Sequence, residues 1–192
     1  MLIEFLRIAY LFMPLLGGAI ANGLCIRFNW LTFLVHPLDF RLTYRKRRLF
    51  GENKTLRGLI IFSFGTALLF SLQAVVLHKV PDFRSLEILN YSQVSPPFMG
   101  FLMGMAAMLS ELPNSFFKRQ LGISPGTAGS GIWLPIFYVV DQIDVLAGLW
   151  LVLSFVMPIT LSHILISIVF IFITHQVITV IGYVLGMRHT LR

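Results

Sequence analysis

Residues 58–78, GLIIFSFGTALLFSLQAVVLH, run from glycine to histidine without one acidic, lysine or arginine side chain. Crossing the hydrocarbon of a bilayer as a helix takes roughly 20 apolar residues, and this stretch qualifies. Four further stretches share its character, at about 5–26, 97–114, 132–157 and 160–186. They are continuously apolar and do not alternate, so they suit helices and not the strands of a barrel. Composition agrees: 57% of the residues are hydrophobic and only 12% are charged, where a soluble domain carries about 25% charged residues. The expected fold is therefore all-α, a polytopic membrane protein of about five transmembrane helices with a polar cavity facing the cytoplasm. It forms a single domain over residues 1–192, with cytoplasmic loops at about 28–57 and 114–131.

The formal net charge is +7, and its placement carries more information than its size. The basic residues from Arg27 to Arg57, then Lys118, Arg119, Arg188 and Arg192, fall on one side of the expected spans; Arg7, Lys79 and Arg84 fall on the other. The positive-inside rule then places the chain in the cell (inner, cytoplasmic) membrane with its amino terminus outside and its carboxyl terminus in the cytoplasm. Basicity so distributed reports topology and not a nucleic-acid partner. The cluster Arg45, Lys46, Arg47 and Arg48 suits an anionic lipid surface, at about 1 kcal/mol per residue. Cys25 is the only cysteine, which excludes an intramolecular disulfide and argues against a metal–thiolate site. Basic residues follow the first apolar run, the reverse of a cleaved signal peptide.

Three acids, Glu111, Asp141 and Asp144, lie inside or at the edge of apolar segments. A charge at bilayer depth costs roughly 3 kcal/mol or more, so such acids face a partner, an ion or a water-filled cavity. On a helix, Asp141 and Asp144 share a face one turn apart, where two carboxylates repel unless a cation lies between them. Carboxylate ligands suit magnesium, and the lack of thiolates and paired histidines argues against zinc or copper. Lys118 and Arg119 can neutralise phosphate oxygens. The turn Gly51-Glu52-Asn53-Lys54-Thr55 offers a lysine, a hydroxyl and backbone N–H groups beside a helix start, a setting that holds phosphate, although it lacks P-loop spacing. Asn22, at a polar break in the first helix, reads as an interhelical hydrogen-bonding residue. His175 lies within reach of the acids' cavity, and His163 lies toward the other face. Pro113 is expected to kink or stop the third helix at Glu111, which leaves 114–131 as loop. The second helix reads as plain apolar packing, and Gly100 and Gly104 read as a close-packing face. These residues leave three roles open: chemistry on a lipid phosphate, an ion or proton relay in a transporter, and a structural part.

Several separated motifs narrow the choice. They are Pro14 and Ala21-Asn22-Gly23; Pro37, Asp39 and Phe40; Arg48 to Thr55 with Arg57-Gly58; and Ser115-Phe116-Phe117-Lys118-Arg119. Leu121-Gly122-Ile123, Pro125-Gly126 and Asp141-Gln142-Ile143-Asp144 follow, and His175, Gly182-Tyr183 and Leu185-Gly186 complete the set. In this order and over nearly the whole length, the chain resembles the CDP-archaeol synthase family, relatives of the CDP-diacylglycerol synthases. The resemblance implies a magnesium-dependent transfer from CTP, the co-substrate, to a lipid phosphate, giving a CDP-activated lipid and pyrophosphate. It implies that Asp141 and Asp144, with Glu111, hold metal, and that Lys118 and Arg119 bind phosphate groups. Asn53, Lys54, Thr55 and Arg57 are then part of the polar pocket, with Asn22, Asp39 and His175 as further binding residues. The expected partners are the lipid phosphate, CTP and membrane lipids, and an oligomer is compatible with the pattern. The chain departs from the resemblance at Ser110-Glu111, where Gly-Asp is usual, and at Thr179, where Asn is expected. These departures keep a second reading alive, a weak or inactive relative that binds or moves an anionic lipid.

Overall fold

The computed structural model describes residues 2–91, 93–127 and 129–184. Its order is α1 (Leu2–Phe12), α2 (Pro14–Arg27), a small hairpin of β1 (Thr43–Tyr44) and β2 (Arg47–Arg48), α3 (Leu56–Lys79), α4 (Pro96–Gln120), α5 (Trp133–Leu153) and α6 (Leu161–Val184). Leu185, Gly186, Arg188 and Arg192, named above for the resemblance and the topology, lie outside the described residues. Among those residues, Leu2–Arg27, Leu56–Lys79 and Trp133–Leu153 are long and apolar enough to cross a membrane by length and composition. Outward faces agree, since Phe64, Leu68, Phe98, Leu151 and Val169 are all open. An exposed apolar belt of this extent is what lipid covers.

The first apolar run, expected as one helix, is divided at Met13 by Pro14. Proline has no N–H to give the carbonyl four residues earlier. That carbonyl belongs to Tyr10, and the Gln73 side chain of α3 donates to it, while the Tyr10 hydroxyl donates to the Gln73 carbonyl at 3.3 Å. A neighbouring helix thus satisfies the freed backbone group, as helices in lipid require. The expectation that α3 is plain apolar packing is therefore corrected: it buries Ser63, Thr66 and Gln73. Thr55 caps its start, with the hydroxyl accepting from the Gly58 N–H at 3.1 Å.

Helix α3 sits between α2 and α4, and small residues set the spacing. A methyl group built on Gly65 would stand 2.7 Å from the Gly17 carbonyl oxygen of α2. On Gly104 it would stand 2.6 Å from the Ser63 Cα, so the close-packing face expected on α4 is present. The core above the cavity gathers Ile8, Leu11, Phe12, Phe70, Met103, Leu149 and Leu153. Helix α6 leans on α1 through Phe5 and Phe170, and on α5 through the Trp150 N–H, which donates to the Ser167 hydroxyl at 3.0 Å.

One boundary differs from expectation in a way that matters for the site. Pro113 does not end α4; the helix runs on to Gln120. Proline's φ suits a helix and only one hydrogen bond is forgone, while helical register brings Asn114 and Lys118 onto partners in α5. The expected loop 114–131 accordingly begins after Gln120. The 28–55 loop holds the hairpin, whose turn residues Arg45 and Lys46 both have positive φ, 50° and 64°. That is the twist a two-residue hairpin turn demands, and the Arg45 guanidinium lies over the Tyr44 ring at 5.3 Å.

Candidate active site

At the end of the bundle where α2 stops and α3 starts lies a cavity of about 990 Å³. Its polar wall carries Asn22, Asn53, Lys54, Glu111, Asp141, Gln142 and His175, and Phe12, Leu15, Leu16 and Phe170 line it toward the bundle core. Charged groups thus meet an apolar channel in one space.

Each acid arrives with a partner. Glu111, Asn114 and Lys118 fall on one face of α4, three and four residues apart. Glu111 pairs with Lys54 from the loop before α3. Lys118 donates to both oxygens of Asp141, at 2.5 and 2.6 Å, and lies 5.4 Å over the Phe137 ring. The Asn114 side-chain N–H₂ donates to Asp141 at 2.7 Å and to Asp144 at 2.8 Å. Asp141 and Asp144 are therefore held side by side, and Glu111 lines the same cavity as Asp141. Among the described residues, no three acidic, histidine or cysteine side chains are gathered into a metal cage.

Several buried polar atoms have no partner among the described residues: Asn22 Oδ1, Arg57 Nε, Asn114 Oδ1, Arg119 Nε and Nη1, and Gln142 Oε1. Leaving one such group unpaired costs about 1–3 kcal/mol, and more when it is charged. Arg119 is the extreme case, a buried guanidinium with two nitrogens open. The interhelical bond expected for Asn22 is not formed by its Oδ1.

Other expected site residues also have partners within the fold. Both Asp39 oxygens are occupied: Arg48 donates to them, and the N–H groups of Arg41, Phe50 and Gly51 add to the set. Burial pushes the Asp39 carboxyl up, but the Arg48 side chain and the three backbone donors outweigh it and bring the value down to about 2. Gly51, at φ +100°, takes a conformation suited to glycine and so turns its N–H onto Asp39. The Thr55 hydroxyl is spent on its helix cap, and Arg57 donates to the Trp30 carbonyl at 3.1 Å. His175 Nδ1 meets the Gln142 amide nitrogen at 3.2 Å across α5 and α6. His163 stacks on Trp150, away from the cavity. Thr179 is buried one turn beyond His175.

Asn114 and Gln142 are polar side chains at the site that the sequence reading left without a role. The signal for Asn114 was present as its spacing from Glu111 and Lys118, but reading Pro113 as a stop removed it from the helix. Gln142 stood inside the Asp141–Asp144 motif as a spacer.

A family model described as CarS-like, CDP-archaeol synthase, matches residues 5–191. The chain belongs to the CDP-archaeol synthase family. Relatives bearing the name CDP-archaeol synthase include those of Thermofilum pendens and Pyrobaculum islandicum. The first is 26% identical over 178 residues, covering 90% of this chain and 76% of that one. The second is 26% identical over 181 residues, covering 93% and 95%. That of Methanosarcina mazei is 29% identical over 166 residues, covering 79% and 87%. A solved structure of an intramembrane enzyme for archaeal membrane lipids biosynthesis superposes with a TM-score of 0.61 at 19% identity, over 88% of this chain and 92% of that one. The family's fold is thus shared: a multi-pass, mainly helical membrane protein.

Proposed function

We propose that the protein is a membrane-bound CTP:lipid-phosphate cytidylyltransferase whose lipid is archaeol phosphate or a close analogue such as phosphatidate. The observation that carries this reading is a cavity whose wall sets Lys54, Glu111 and Asp141 against an apolar channel, with Lys118 bonded to Asp141, Asp144 tied to it through Asn114, and the buried Arg119 with its open nitrogens next along α4. That combination suits a triphosphate at one end and a lipid at the other. In the reaction an oxygen of the lipid phosphate attacks the α-phosphorus of CTP, the bond from that phosphorus to the bridging oxygen breaks, and pyrophosphate departs. No protein nucleophile takes part. Lys54 and Lys118, each now on a carboxylate, and the forked N–H groups of Arg119 take up phosphate charge.

Magnesium fits the donor set. Asp141 and Asp144 give two hard oxygen ligands side by side, and this ion commonly uses one or two carboxylates with substrate phosphates instead of an all-protein cage. Glu111 lines the same cavity from α4, where it pairs with Lys54. When bound, the metal neutralises triphosphate charge. We read α1–α2 and α3 to α6 as five spans around a cavity open to the cytoplasm, with the amino terminus outside and the carboxyl terminus inside. The density of basic residues at the cavity's end supports that orientation.

A second reading, a relative that binds or moves an anionic lipid without transfer, is favoured by Glu111, which Lys54 already occupies. Purified protein given CTP, magnesium and archaeol phosphate or phosphatidate separates the two. The enzyme releases pyrophosphate, loses this activity on chelation, and loses at least about a hundredfold in Asp144→Asn. Lipid binding that ignores CTP, with no pyrophosphate from any lipid phosphate, overturns the assignment.

A further inference from the structure

The geometry points to Asn114 as a positioning residue that prepares the Asp141–Asp144 pair for a divalent cation, and this inference rests on the reading of the diacid as the metal site. Two acceptors, one on each carboxylate, fix the orientation of the Asn114 amide, because only its nitrogen can donate. One N–H₂ group therefore spans α4 and α5 and holds two like charges within reach of a single ion. Lys118 completes the arrangement from one turn further along α4, closing on both oxygens of Asp141. Asn114 is buried, and its Oδ1 has no partner among the described residues. Magnesium dehydrates reluctantly and keeps several waters, and such waters are donors for that oxygen. Asn114 also stays neutral, so it organises the carboxylates without competing for their charge as a lysine does.

Without the amide the two carboxylates repel and turn apart, and the cation must meet the cost of reassembling them. Groups that orient metal ligands in this way typically contribute 10–100-fold in metal affinity. The test measures Mn²⁺ binding by electron paramagnetic resonance on the purified full chain, alone and with CTP, and pyrophosphate release as a function of magnesium concentration. Asn114→Leu, close in volume but unable to hydrogen-bond, is expected to weaken Mn²⁺ binding by about 10–100-fold. It should raise the magnesium needed for half-maximal rate by a similar factor, with the rate at saturating magnesium reduced less than about fivefold. Asn114→Ser keeps one donor and should fall between Leu and the wild type, which covers the case in which the leucine variant does not fold. The positioning role is overturned if both variants, or the folded one, bind Mn²⁺ within twofold of wild type, or lose maximal rate with unchanged metal dependence. Wild-type protein that neither binds Mn²⁺ nor turns over CTP overturns the cytidylyltransferase reading and this one together. A wild type that does both beside an indifferent Asn114→Leu overturns this one alone.

Discussion

Removing the ammonium of Lys118 would leave the Asp141 carboxylate with Asn114 as its remaining hydrogen-bond donor in a part-buried setting. Lys118→Met is therefore expected to lower stability by about 2 kcal/mol, which thermal unfolding in detergent measures. Turnover of CTP should fall at least about a hundredfold, because a donor to developing phosphate charge is lost. Asp39 gives a pH-dependent prediction. Its carboxyl is brought from the ordinary 3.8 to about 2 in the folded protein, so its contribution, about 2 kcal/mol, is complete above pH 4 and is lost as pH falls toward 2. The difference in melting temperature between wild type and Asp39→Asn should hold steady from pH 7 to about 4 and shrink below that. A gap unchanged down to pH 2 would refute the assignment of Asp39 as the loop's anchor. The diacid was legible from its spacing alone, since three residues on a helix place two side chains on one face. The partners of the diacid were not. Asn114 gains its role only from the register of α4 against α5, which no single segment carries.

At the scale of elements, hydropathy located the helices but missed what joins them. Gln73 is one polar residue in an apolar run, and its amide donates to the carbonyl that Pro14 deprives of its helical partner in another helix. Hydropathy averages such a residue away. Pro113 misled in the opposite direction, because a proline inside a helix forgoes one bond and not the helix itself. Glycines on α4 were readable as a packing face because small residues four apart have few other uses in lipid. Their geometry gives a test. Gly104→Ala places a methyl 2.6 Å from the Ser63 Cα, and overpacking of this kind costs about 1–3 kcal/mol. A lower melting temperature is expected, with some loss of turnover, since α4 carries Glu111, Asn114 and Lys118. A variant as stable and active as wild type would show that α3 and α4 are not held this closely.

For the whole molecule, charge asymmetry predicts orientation and composition predicts the class, whereas the cavity arises only when five stretches of chain converge. Orientation can be checked because Cys25 is buried and is the only cysteine. A cysteine in place of Lys46 should react with a membrane-impermeant maleimide only from the cytoplasmic side, and one in place of Ser85 only from outside. The reverse pattern would invert the topology. Glycine contacts join α2, α3, α4 and α5 nearly backbone to backbone, so these four pack as a single plank. Among the described residues, helix α6 is held by side chains: Phe170 against Phe5 and Phe12 of α1, His163 stacked on Trp150, and three hydrogen bonds to α5. On the proposed function, α6 is the wall that a guest as broad as a two-chained lipid would have to displace to make its room. The carboxylates, on α4 and α5, would then keep their alignment with the plank.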